Sequence, residues 1–145
     1  MILFNSRTPS YSWLSAFHPC QIEFDELVYP SVENYYQALK CANQAIRPTF
    51  LGISPQDARA MGQTVEKVDN WSNIKVSVMR TGLQLKYSIP ELKEMLLATG
   101  DEELVHLSPW DTFWGVDSSN IGTNMQGKLT MEIREMLANK NFDLF

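Results

Sequence analysis

The chain has 145 residues, 44% of them hydrophobic, a size that suits one domain able to remove about two-thirds of its unfolded surface from water. A net charge of -5 and a pI near 5.0 argue against broad nucleic-acid binding, which is driven by counterion release onto clustered Lys and Arg. They leave room for a concave site that takes one nucleotide. Apolar runs are only a few residues long, and Met1-Ile2-Leu3-Phe4 is broken at once by Asn5, Ser6 and Arg7. Neither a signal peptide nor a spanning helix is expected, so the reading is a cytoplasmic protein without a membrane partner.

In chain order, Gln21-Ile22-Glu23-Phe24 and Leu27-Val28-Tyr29 flank Asp25-Glu26 and predict a short hairpin. Pro30-Ser31 predicts a helix entry with Ser31 as N-cap, and Val32, Tyr35, Tyr36, Leu39 and Ala42 recur at helical spacing as a buried stripe. Ser54-Pro55-Gln56-Asp57 predicts a second entry, with Ala58, Met61 and Val65 facing inward. From Trp71 to Tyr87 apolar residues occupy two sides, Trp71, Ile74, Val78 and Leu85 against Val76, Leu83 and Tyr87, which predicts a helix sandwiched in the core. Pro90 to Ala98 reads as a short helix ended by Gly100, and Met125 to Leu137 as an amphipathic closing helix. Between them, residues 105–124 hold two tryptophans, two aspartates and two glycines without a clear period, the composition of a binding loop. With no repeat and no linker, the expectation is a single α+β domain over residues 1–145, mainly helical with a small antiparallel sheet from the N-terminal third.

Glu33 and Lys40 lie two helical turns apart with Tyr36 and Gln37 between them, so all four project from one sector beside the apolar stripe. An acid, an amine and two hydrogen-bonding groups converge there; a solvated surface face is the ordinary alternative. Cys20 and Cys41 fit no metal-ligand spacing and accompany only two histidines, so zinc is not expected and both read as reduced, packed thiols.

The segment Tyr29-Pro30-Ser31-Val32-Glu33-Asn34-Tyr35-Tyr36-Gln37-Ala38-Leu39-Lys40 resembles the signature of the NADAR (YbiA-like) superfamily of N-glycosidases, approximately Tyr-Pro-Ser-Val-Glu-His-Tyr-Tyr-Gln-Ala-x-Lys. The resemblance continues in order through Phe17-His18-Pro19-Cys20, Ser54-Pro55, Ala58 and Gly62, Trp71, Met79 and Lys86-Tyr87, to Ser108-Pro109-Trp110-Asp111-Thr112-Phe113-Trp114-Gly115 and Gly122-Thr123-Asn124. It implies hydrolysis of an N-glycosidic bond at C1 of a phosphorylated ribose or an ADP-ribose adduct, with no metal or organic cofactor. Glu33 and Lys40 are the residues implied for catalysis, Lys40 through a Schiff base with the opened ribose and Glu33 as proton carrier. For that, Lys40 must lose its proton near neutral pH, which requires burial or a nearby positive charge. Asp111 is expected to hold a ribose hydroxyl or position water, or else to cap a turn. Tyr36, Gln37 and Gly115 are expected to contact substrate, and Trp71 and Trp114 to stack on a ring unless they pack in the core. Gly122 and Asn124 precede the closing helix, where backbone N–H groups offer a phosphate seat or simply a helix start.

Three positions depart from the family pattern. Ala16 stands for an Asn, Asn34 for a His and Gln63 for an Arg, each change taking away a polar or charged group. They keep two other readings open: a non-catalytic reader of ADP-ribose or nucleotides, and a protein-interaction inhibitor that uses the aromatic loop as its contact surface.

Overall fold

The structure, a computed structural model, describes residues 1–139; the last six positions of the expected 1–145 domain lie outside the described residues. The described residues form two compact units, Ala16–Lys86 and Met1–Ser15 with the described chain from Tyr87.

In the first unit the expected hairpin opens the fold. Strands β2 (Ile22–Phe24) and β3 (Leu27–Tyr29) pair antiparallel with Ile22 opposite Tyr29. Asp25 and Glu26 between them take φ of 51° and 67°, the doubly positive turn whose twist matches that of the strands it joins. Helix α1 (Val32–Lys40) follows, its first turn capped by the Ser31 hydroxyl oxygen, which accepts the Asn34 N–H at 3.1 Å. Around α1 pack the hairpin, a 3-10 segment (Gln44–Phe50), α2 (Pro55–Gly62) and α3 (Trp71–Lys86), so Val32 through Leu39 are all buried. Ala42 is not in the stripe assigned to it. Cys41 turns to extended backbone (φ -71°, ψ 128°) and bridges antiparallel to Lys67, which ends the helix and leaves Ala42 exposed.

Ser54 caps α2 by accepting the Asp57 N–H at 3.0 Å, with Pro55 in the first turn. Of its expected inward residues Ala58 is buried and Met61 half-buried. Val65 lies past the helix, because the Gln63 and Thr64 N–H groups close back onto the Ala60 and Met61 carbonyls. Helix α3 also differs from expectation: it buries one line, Trp71, Met79, Gly82, Leu83 and Lys86, while Ile74, Val76, Val78 and Leu85 are half-buried. Gly82 explains the narrow line. A Cβ there would stand 2.7 Å from Tyr35 Cε2, so the glycine lets the α1 ring reach the α3 backbone, where the Tyr35 hydroxyl donates to the Val78 carbonyl at 2.9 Å.

In the second unit β1 (Ile2–Phe4) pairs parallel with β4 (Leu104–His106), in register Ile2 with Leu104 and Phe4 with His106. This pair is additional to the antiparallel sheet read from sequence; Ile2-Leu3-Phe4 shows no alternation, and its partner lies far along the chain. Helix α4 (Pro90–Ala98) ends toward Gly100 at φ +62°, and α5 (Met125–Ala138) packs on β4 and α4. The irregular stretch is shorter than residues 105–124, since its first residues belong to β4. The fold class is α+β, mainly helical with short sheets. No helix among the described residues is long and apolar enough to cross a membrane.

Candidate functional site

The α1 face carries a connected polar chain. Gln37 Nε2 donates to Glu33 Oε2 at 2.7 Å, and Lys40 Nζ donates to Gln37 Oε1 at 3.3 Å. The spacing i to i+4 and then i+3 is what sets three side chains one above another on a helix. Glu33 is 8% and Gln37 6% exposed, so the solvated-face alternative does not apply to them. Lys40 is half-buried at the open end of the chain. Burial holds its amine below the usual lysine range, and the Lys67 ammonium pushes the same way, against the opposing charges of Glu33 and Cys41. Tyr36 and Trp71 pack on each other with ring centroids 5.0 Å apart and planes at 57°, both only 7% exposed.

Lys67 and Gly62 are the residues that sequence reasoning missed as parts of this arrangement. Lys67 arrives through the antiparallel bridge to Cys41, flanked by the Ala42 N–H donating to the Glu66 carbonyl at 2.8 Å and the Val68 N–H to the Lys40 carbonyl at 3.0 Å. Nothing local in the sequence signals that pairing. Gly62 faces Gln37 so closely that a Cβ there would overlap Oε1 and stand 2.6 Å from Cδ.

The structure gathers the remaining expected residues in the second unit. Asp111 Oδ1 accepts the Phe113 and Trp114 N–H groups, each at 3.1 Å, so this carboxylate holds the turn that its Ser-Pro-x-Asp setting suggested. Trp114 is half-buried and meets Phe113 edge to face at 5.0 Å. Gly115 is buried against β4, where a Cβ would come within 2.5 Å of the His106 carbonyl oxygen and 2.9 Å of Ser108 Cβ. Asn124 adopts left-handed backbone (φ 54°) before α5 without a side-chain cap. Its amide instead ties the helix start to β4, Oδ1 accepting the His106 N–H at 2.9 Å and Nδ2 donating to the Leu104 carbonyl at 3.0 Å. The helix start does not offer the phosphate seat expected at Gly122 and Asn124. The Thr123, Asn124, Met125 and Gln126 N–H groups already donate to the carbonyls of Thr112, Gly115, Phe113 and Trp114.

Two of the departures have clear structural places. Asn34 is fully buried; its Nδ2 donates to the Phe50 and Ile53 carbonyls at 2.8 and 2.9 Å, and its Oδ1 accepts the Ser31 hydroxyl. Ala16 is buried and its carbonyl accepts the Glu33 N–H at 3.0 Å. Gln63 is an exposed residue at the end of α2. Cys20 and Cys41 are free thiols, half-buried and buried, and no group of three or more His, Cys, Asp or Glu among the described residues is placed to hold a metal.

Known proteins share this fold. The solution structure of the Escherichia coli protein YbiA superposes with a TM-score of 0.85 at 34% identity, over 97% of this chain and 86% of that one. The E. coli N-glycosidase YbiA is 35% identical over 142 residues, covering 95% of this chain and 89% of the relative. An N-glycosidase of Nostoc punctiforme is 35% identical over 136 residues, covering 89% and 87%. A chloroplastic riboflavin biosynthesis protein of Zea mays is 32% identical over 153 residues, covering 92% of this chain but 25% of its own length. The model of the NADAR domain matches residues 3–138, and with the fold and the relatives in agreement, this chain belongs to the NADAR family of N-glycosidase-related proteins.

Proposed function

We propose that this protein hydrolyses the C1–N glycosidic bond of a phosphorylated ribose or an ADP-ribose adduct, with Lys40 as nucleophile and Glu33 as proton carrier. The observation that carries the reading is the buried chain Glu33–Gln37–Lys40, ending in a half-buried amine whose proton affinity is lowered by burial and by Lys67.

A neutral Lys40 amine attacks C1, the C1–N bond breaks with its electron pair going to the base, and a proton delivered to that nitrogen lets the base leave. The attacking nitrogen gives up one proton, and the ring C1–O bond then breaks, its oxygen taking up a proton, to leave a protonated Schiff base between Nζ and C1. Water then adds at C1, and the C1–Nζ bond breaks to return the free sugar and the amine. Positive charge builds on the sugar as its bond to nitrogen stretches, and the Glu33 carboxylate stabilises that charge, then takes up the proton that the amine gives up and passes it to water. Asp111 and Trp114 enter by chemistry alone, Asp111 as a carboxylate that can bind a ribose hydroxyl and Trp114 as a half-buried indole that can stack on a ring.

The name of the maize relative favours a riboflavin-biosynthesis intermediate; a guanine carrying ADP-ribose is the other candidate. The competing reader leans on the three departures from the family pattern. The Asn34 amide is enclosed and bonded to the Phe50 and Ile53 carbonyls and to the Ser31 hydroxyl, which weakens the argument that its change removed a ligand contact.

The test is trapping. The protein is incubated with ADP-ribosylated guanosine and separately with phosphoribosylated pyrimidine intermediates, then treated with borohydride and weighed intact. A sugar-sized mass gain on the wild type, absent in Lys40→Ala together with a fall in turnover of about 10²-fold or more, is the expected result and identifies the substrate class. Nucleotide binding without an adduct or released base would leave the reader in its place.

A further inference from the structure

Lys40 does not bond to the acid of its own helix. Its hydrogen bond goes to Gln37, whose amide turns its carbonyl to the amine and its NH2 to the Glu33 carboxylate. A glutamine side chain has enough freedom to flip or swing out, so something must hold that amide in line. Gly62 of α2 lies directly against it, since any side chain there would occupy the space of Gln37 Oε1 and crowd Cδ at 2.6 Å. We propose that Gly62 is a positioning residue: its missing side chain seats the Gln37 amide as a spacer that keeps the Glu33 carboxylate from pairing directly with the Lys40 amine. The inference rests on the glycosidase reading for its purpose, while its geometry stands without it.

A direct ion pair would favour the charged amine and remove the nucleophile. Through the spacer, Glu33 remains close enough to move protons but contributes less attraction than contact would give. The charged or titratable groups that act on Lys40 are Glu33 on its own helix, Cys41 at the helix end and Lys67 on the bridging segment, and burial with Lys67 outweighs the other two. The atoms that a Gly62 side chain would strike are the far end of a flexible chain, so substitution displaces the amide rather than parting the helices.

The experiment follows the Lys40 ε-methylene by NMR across pH in protein with 13C-labelled lysine, the signal assigned by its loss in Lys40→Arg. Wild type, Gly62→Ala and the double variant Gly62→Ala/Gln37→Ala are compared; the double variant removes the overlap, so it reports even where the single variant folds poorly. The Lys40 titration midpoint is expected to rise by about one unit in Gly62→Ala and to remain raised in the double variant. On a substrate that the wild type turns over, kcat at pH 7 falls about tenfold in Gly62→Ala with KM little changed. A midpoint unchanged in folded Gly62→Ala, or restored in the double variant, overturns the spacer and leaves the glycosidase standing if turnover persists. Absence of wild-type turnover on every substrate offered overturns the glycosidase, while the midpoints still decide the spacer.

Discussion

At the scale of single residues, the amine of Lys40 is tuned by neighbours from different parts of the chain. Lys67 is exposed, so its influence passes partly through solvent and is sensitive to salt. Replacing it in Lys67→Glu exchanges a charge that repels the ammonium for one that attracts it. The amine then holds its proton to higher pH, and the rise of kcat with pH shifts upward. A pH–rate profile at low ionic strength checks this, and the shift between variants shrinks at about 1 M salt, where the screening length is about 3 Å. Glu33, Gln37 and Lys40 were legible in the sequence because helical periodicity alone puts them on one face. Lys67 was not, because a two-residue bridge between distant extended segments leaves no pattern to read.

At the scale of elements, α1 is held against the 3-10 segment by Asn34. Its Nδ2 supplies hydrogen bonds to the Phe50 and Ile53 carbonyls in a fully buried setting. Asn34→Ala removes both and leaves those carbonyls and the Ser31 hydroxyl proton without their partner, while the backbone N–H keeps the Ser31 cap; the loss is about 2 to 3 kcal/mol for buried polar groups left unmade. Urea unfolding followed by circular dichroism is expected to show a lower midpoint with an unchanged slope. The ends of the elements were the clearest part of the sequence: the Ser31 and Ser54 caps, Pro55, and the Asp25-Glu26 turn each act through neighbours within a few residues. The face of α3 was harder. A lysine and a glycine on its buried line, Lys86 and Gly82, defeat a reading based on apolar residues, since the place of a side chain at Gly82 is taken by the Tyr35 ring. Asn124 escaped for a related reason: its side chain is committed to β4 across a turn whose path periodicity does not describe.

At the scale of the whole molecule, the fully buried Lys86 makes stability depend on pH. Burial pushes its amine down to about 8 from an ordinary 10.5, with Cys20 opposing. Between those values the folded chain binds fewer protons than the unfolded chain, so this residue's contribution to stability rises with pH through the window. Below about 8 both states are protonated and the cost of burying the charge is fully present; above 10.5 it has gone. Comparing wild type with Lys86→Met isolates this residue from the tyrosines and thiols that titrate nearby. The difference in unfolding free energy is expected to move in favour of the wild type by about 2 to 3 kcal/mol from pH 8 to 10.5. Denaturation curves at both ends of the range that give a constant difference would refute it.

The parallel pairing of Ile2 with Leu104 and Phe4 with His106 also governs when the fold can close. A contact between residues so distant in sequence carries the loop-closure entropy of more than two-thirds of the chain, and during synthesis it must wait until β4 leaves the ribosome. Until then Ile2 and Phe4, buried when folded, lack that partner, whereas residues 16–86, a compact unit, have already been made. β1, made well before β4, is therefore among the last strands to find its partner.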